Sequence, residues 1–347
     1  MIPENLLITI GRLLLPERRA EAIQELKDAG VLTTETERIL ADLLAGGWYT
    51  NRTLFAKLAP VKIELDAWIR NHRFNQFRPT YALDAIEMYA RGQPDILTHG
   101  WLAGKDVMDF GAGRFSPASL AIVLYANGAR TVTAFEPAGW SIDHATTAMR
   151  ELVAGIMMSP QTYCLPGCPS SEEIRRRLCD IRFNISSDDV VDLGPIRLIR
   201  RFDFAHHESA FDLVLSRSVL EHVKSFDTEI ANHLTILKPG GVSINRVDFT
   251  DHRHWEPQNS PFGFYADGVT CGCNLLRVSD LDRAARASGA LYEIKDANLV
   301  AEAVVRRKPL LERFAAYEMD SLRTSAATLV LKAERMPPEP FRAVRTP

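Results

Sequence analysis

The chain has 347 residues, 46% of them hydrophobic and 24% charged, with a formal net charge of -3. That length supports one large domain or two smaller ones with a sizeable core. The charge balance argues against a nucleic-acid partner, and no apolar run reaches the roughly 20 residues a bilayer span needs.

Residues 1–94 read as a helical region. Pro16 to Ala20 opens a helix that Gly30 closes, and Thr33 to Glu37 starts another in a capping-box pattern, with Leu40, Leu43 and Leu44 on its apolar side. Further helices are expected near 62–70 and 81–90. No catalytic cluster falls here, so the region is expected to be a lid, a wall or a dimer surface. Trp48 and Tyr49, beside Gly46 and Gly47, are read as core residues with substrate contact as the alternative. The start, over 5–15, follows Glu4 and is broken by Arg12, which suits a packed amphipathic helix better than a signal peptide.

Five cysteines, an odd number in a chain too large to need staples, imply reduced thiols and a cytoplasmic location. Three residues separate Cys164 from Cys168, and one separates Cys271 from Cys273. Zinc ribbons repeat a two-residue spacing, so no metal site is expected from this pattern.

The organising stretch is Val107-Met108-Asp109-Phe110-Gly111-Ala112-Gly113-Arg114-Phe115-Ser116. An apolar run ends, two glycines follow at alternate positions, and a helix is predicted over about 116–127. That is a buried parallel strand handing over to a helix through a tight turn, with the helix's positive end facing a ligand. A dinucleotide site needs a third glycine, but Ser116 stands there. Asp109 would also repel a pyrophosphate, whereas it suits a ligand carrying an ammonium group. Thr131-Val132-Thr133-Ala134-Phe135-Glu136 then places an acid about 20 residues beyond the turn, where such folds offer a carboxylate to ribose hydroxyls.

With its D-x-G-x-G turn, the chain resembles the class I S-adenosylmethionine-dependent methyltransferases. Phe211 to Ser216, followed by Arg217-Ser218-Val219-Leu220-Glu221-His222-Val223, resembles the family's fourth strand and the L-E-H-V helix opening after it. Ile236-Leu237-Lys238-Pro239-Gly240-Gly241 resembles its L-K-P-G-G turn into the fifth strand. The resemblance implies an α/β fold: a Rossmann-like, seven-stranded, mostly parallel sheet with helices on both faces, the last strand antiparallel. It implies S-adenosyl-L-methionine as cofactor, held by Asp109, Gly111, Gly113, Glu136 and Ser216, with Asp203 at the adenine amino group and Phe204 against the ring. The domain is placed at 95–335, with a partly irregular insertion over 159–193 and a flexible tail over 336–347.

The segment Asp248-Phe249-Thr250-Asp251-His252-Arg253-His254-Trp255-Glu256 is dense in proton-transfer groups and begins a long loop, 248–278, leaving the ligand edge of the sheet. Methyl transfer from a sulfonium is an in-line displacement that needs positioning, and a hydroxyl nucleophile must also lose a proton. The ordered candidates for that base are His252, His222, His254 and Asp251. A divalent metal on Glu221, His222 and the loop acids is the alternative. Trp255, Phe262, Phe264 and Tyr265 offer a flat platform for an acceptor, or ordinary loop packing.

The expected function is O-methylation of a hydroxylated small molecule such as a sugar or glycan precursor. The partners expected are that acceptor, no nucleic acid, no integral membrane segment, and a second copy in a homodimer. The long loop, the 274–277 stretch and the region of Arg313 and Phe314 more loosely resemble bacterial methyltransferases encoded with polysaccharide genes. Rival readings are an N- or C-methyltransferase, a nicotinamide-dependent oxidoreductase and a non-catalytic nucleoside-binding domain.

Overall fold

The computed structural model describes residues 19–28, 79–113, 117–138, 142–158, 160–187, 189–255, 261–270, 272–306 and 308–335. Residues Met1–Asp84 and Ala85–Pro347 form two compact units. In the first, α1 (Arg19–Asp28) lies within the helix expected between Pro16 and Gly30. The segments 5–15, 33–44 and 62–70, Trp48 and Tyr49, and the tail 336–347 lie outside the described residues. A further helix, α2 (Pro79–Gly92), includes the one expected over 81–90.

The second unit is built on one nine-stranded sheet. Its strands are β1 (Asp106–Phe110), β2 (Thr131–Phe135), β3 (Asn184–Ser187), β4 (Val190–Asp192), β5 (Ile196–Ile199), β6 (Phe211–Arg217), β7 (Leu237–Asp248), β8 (Ala290–Leu299) and β9 (Thr324–Arg335). They lie in the order β3-β4-β5-β2-β1-β6-β7-β9-β8. Strands β5, β2, β1, β6 and β7 are mutually parallel, and β9 runs antiparallel between β7 and β8. Seven strands therefore follow the expected arrangement, and β3 and β4 extend its edge as an antiparallel pair beyond β5. All five residues of β1 are buried, as a central parallel strand covered on both faces requires.

The insertion is more ordered than its composition suggests, and its role follows from a neighbour. After α3 (His99–Leu102), the chain crosses β1 and enters α4 (Ser119–Ala126), in which every residue is buried. A helix that is apolar all round needs cover on its outer side. After α5 (Ile142–Met158), the insertion supplies this cover through α6 (Ser171–Leu178) and the turn Pro160–Tyr163. Arg177 donates to the carbonyls of Tyr125 (2.7 Å) and Ala129. Asn127 donates to the Tyr163 carbonyl (2.7 Å) and accepts the Leu165 N–H (2.9 Å). Cys164 donates its thiol hydrogen to the Pro160 carbonyl at 3.5 Å, a packing role within that cover.

The helix expected to open at 217–223 does not form. Ser218 has a left-handed φ of 54° and donates its N–H to the Arg246 carbonyl, 2.9 Å away on β7. A short turn, Leu220–His222, follows, and α7 (Phe226–Ile236) begins only after its cap, Ser225. No helix among the described residues is long and apolar enough to cross a membrane.

Candidate active site

Strand β1 leads through α4 to β2 on one side, while β5 leads to β6 on the other. The order thus reverses between β1 and β6, and ligands of such sheets sit there, beyond the carboxyl ends of the strands. The two-glycine turn occupies this point. Gly111 and Gly113 have φ values of 81° and 82°, which favour glycine, and a Cβ at Gly111 would run into the Val219 side chain. The N–H groups of Gly111 and Ala112 both donate to the Phe135 carbonyl, at 2.8 and 3.0 Å, tying the turn to β2.

Glu136, the residue after β2, closes the arrangement. One carboxylate oxygen accepts the Gly113 N–H at 2.8 Å and the other accepts the Ala138 N–H at 2.9 Å. Each oxygen retains a further lone-pair position for a hydroxyl donor. Asp109 lies opposite Ala134 in the parallel ladder, and its carboxyl is pushed up to about 7 by burial and by the charge of Glu136. Asp109 Oδ2, Ser119 Oγ and Ser216 Oγ are buried without hydrogen-bond partners. Ser216 is also the register partner of Phe110, so its hydroxyl ends β6 beside the glycine turn.

The adenine side differs in part from expectation. Phe204 packs 6.1 Å from Phe110, and Phe202, given no role from sequence, packs 5.9 Å from Phe135 and stacks on His207. The exposed Asp203 turns back on its own loop, accepting the Ala205 N–H at 3.0 Å and meeting His206 Nδ1 at 2.6 Å. That imidazole holds the Asp203 carboxyl below its usual range. Phe202 and Phe204 thus pack beside the ends of β1 and β2, whereas the Asp203 carboxylate is engaged within its own loop.

A second cluster lies at the carboxyl ends of β6 and β7. The turn Leu220–His222 follows β6, and the turn His252–Trp255 follows β7. Being adjacent and parallel, these strands deliver both turns to the same edge of the sheet as the glycine turn. The rings of His222 and His252 lie 5.0 Å apart, and Glu221 Oε1 is 4.0 Å from His252 Nε2. Burial pushes the Glu221 carboxyl up to about 8, the charge of Asp248 adding to it, and neither of its oxygens has a hydrogen-bond partner. Asn274 fastens the later part of the loop here, its side chain donating to the Leu220 and Val223 carbonyls and its N–H to that of Glu221. His222, His252 and Cys273 converge so that their ligand atoms lie within 4.8 Å of one another. The cysteine spacing had suggested no metal site, and this three-residue grouping could hold an ion.

One expectation for the loop is corrected, and one open alternative is decided. Asp251 is buried and forms an ion pair with Arg253, and it also accepts the N–H groups of Arg253 (2.9 Å) and Phe264 (3.0 Å). It therefore anchors the loop and is not placed to act as a base. Of the two roles open to Phe262, Phe264 and Tyr265, loop packing is the one observed. They are buried with Phe314 around the guanidinium of Arg277, which donates to the carbonyls of Phe249 (2.8 Å) and Thr324 (2.9 Å). His254 shares the turn with His252, and its side chain, like that of Trp255, lies outside the described residues.

Buried acids beside a glycine turn at the reversal of a doubly wound sheet suit a cationic nucleoside. Asp109 has an unpartnered buried oxygen that could accept from an ammonium, and Glu136 has free lone-pair positions that could accept from a diol. This combination of fold and donor set is that of the class I S-adenosylmethionine-dependent methyltransferases. The chain belongs to the methyltransferase-domain family, whose model matches residues 60–291, and S-adenosyl-L-methionine is its cofactor. A search of curated proteins finds no match to the chain.

Solved structures similar to it include an S-adenosylmethionine dependent methyltransferase from Mesorhizobium loti, 14% identical, covering 74% of this chain and 99% of that one, with a TM-score of 0.37. Another is the geranyl diphosphate C-methyltransferase of Streptomyces coelicolor, 16% identical over 74% of this chain and 84% of that one, with a TM-score of 0.39. A third, from Listeria monocytogenes and only provisionally described as such a methyltransferase, is 16% identical over 74% and 100%, with a TM-score of 0.42. Likeness at this level says nothing of acceptor or mechanism.

Proposed function

We propose that the enzyme methylates a hydroxyl of a small acceptor such as a sugar or glycan precursor. When bound, the cofactor supplies a methyl already activated by its sulfonium. The residues that would hold it are Asp109 at the ammonium, Glu136 at the ribose diol, Gly111 and Gly113 where the backbone approaches closely, and Phe202 and Phe204 along the base. Ser216 offers its hydroxyl at the end of β6.

The observation that carries the reading is the imidazole–carboxylate pairing on the same edge of the sheet, with Glu221 Oε1 4.0 Å from His252 Nε2 and the His222 ring beside it. A hydroxyl is a poor nucleophile until its proton leaves, and a positioned imidazole with an acidic side chain beside it is a common means of removing it. His252 takes that proton in this reading, with His222 as its neighbour at the exposed rim and His254 as the further candidate on the same turn. Amine or carbanion acceptors would have less need of such a pair.

The test is a panel of hydroxyl, amine and activated-carbon acceptors incubated with methyl-labelled cofactor. Label on a hydroxyl oxygen, lost in His252→Ala, supports the reading. Label on nitrogen or carbon alone contradicts it.

A further inference from the structure

We infer that His222, His252 and Cys273 form a binding site for a thiophilic divalent cation, Zn2+ foremost, with a fourth position open to an oxygen ligand. The donor atoms of these three residues lie within 4.8 Å of one another. Nitrogen and sulfur ligands of a tetrahedral zinc stand about 3.3–3.8 Å apart, given bonds of roughly 2.0–2.3 Å, so small rotations of three side chains would close the site. Two imidazoles and one thiolate make a soft to borderline set that Mg2+ or Ca2+ would not choose.

Three surrounding features fit an ion. His222 Nδ1 lies 3.1 Å from the Gly272 carbonyl, a contact that puts the ring proton on Nδ1 and leaves the Nε2 lone pair for a metal. Glu221 is buried beside His252, with both carboxyl oxygens lacking a hydrogen-bond partner, so an unpartnered acid faces the grouping from the protein side. His222 itself is exposed, which gives an ion a route in from solvent. The loop is also fastened here, because Asn274, next to Cys273, bonds to the turn that carries Glu221 and His222.

The role of the ion rests on the hydroxyl-methylation reading, but its binding does not. With the ion bound, the two imidazoles act as ligands, and the open position, in place of His252, meets the acceptor oxygen.

The experiment uses the full chain, stripped with a chelator and titrated with Co2+ and then Zn2+. Wild type is expected to bind one equivalent of Co2+ with a thiolate-to-cobalt charge-transfer band, which Zn2+ abolishes. Cys273→Ser should lose the band, and His222→Gln should bind at least tenfold more weakly. Cys179→Ser, at an exposed thiol in the insertion, should behave as wild type. Absence of Co2+ binding by wild type, or a band that survives in Cys273→Ser and is lost in Cys271→Ser, overturns the site. Labelling of the acceptor panel is read on the same loaded protein. Ion binding without hydroxyl labelling defeats the acceptor reading and leaves the site standing, whereas hydroxyl labelling with no ion bound does the reverse.

Discussion

Asp109 and Glu136 work against each other in the folded chain. Glu136 sits beside the glycine turn, bonded to the Gly113 N–H, and burial, with the Glu136 carboxylate adding to it, raises the Asp109 carboxyl to about 7. A raised carboxyl lends stability that is fully present below its unfolded value, near 4, and is lost as pH rises through the folded one. The cofactor-free enzyme should therefore lose stability between about pH 4 and pH 7 at this position. Asp109→Asn removes the loss, so thermal melts near pH 8 should show the variant several degrees more stable than wild type. A lower melting temperature for the variant would contradict the assignment.

Gly111 combines a left-handed φ with a close neighbour in Val219. Gly111→Ala should cost about 1–3 kcal/mol for the backbone strain alone, plus the clash. Adding Val219→Ala should recover the clash component and leave the strain, a partial rescue visible in urea unfolding curves. Full rescue would mean that the φ constraint is unimportant.

His252 and Asp251 are neighbours in sequence with opposite roles. His252→Ala should lower kcat by about 10²–10⁴-fold with cofactor affinity and melting temperature close to wild type. Asp251→Ala takes one of two carboxylate partners from Arg253 and leaves two backbone donors unpaired, so it should destabilise the protein by about 1–3 kcal/mol per abandoned donor. Equal effects of the two substitutions on stability would show that they had been told apart wrongly.

Arg277 tests the reassignment of the loop aromatics. Arg277→Met leaves the Phe249 and Thr324 carbonyls without their donor, and should lower stability by about 1–3 kcal/mol per abandoned group. Phe264→Leu should likewise act on stability and leave the acceptor KM within about twofold, since Phe264 is buried against Phe314. A large rise in KM without loss of stability would return Phe264 to the acceptor surface.

What was legible in the sequence was what is local in it. The β1 run, its two glycines and Glu136 carry their meaning within thirty residues or so, because a strand, a tight turn and the next strand form one unit. The turn after β6 was misread as a helix because Ser218 adopts a left-handed φ held by an Arg246 carbonyl from another strand. Phe262, Phe264 and Tyr265 could be read as platform or as packing because nothing nearby announces that Arg277 and Phe314 will bury them. The grouping of His222, His252 and Cys273 had no spacing signal, since three separate segments meet only when β6 and β7 pair and Asn274 fastens the loop. Glu221 was visible as a residue, but its burial, which gives it significance, is a property of the fold.

The central claim is that Asp109 grips a cationic amine in the crevice beside Gly111. Isothermal calorimetry with S-adenosylhomocysteine, whose amine is the same and whose sulfur is uncharged, isolates that contact. At about pH 8, where Asp109 is ionised, wild type should bind it at least tenfold more tightly than Asp109→Asn, a loss of about 1.4 kcal/mol or more. Indistinguishable affinities for the two proteins would contradict the account.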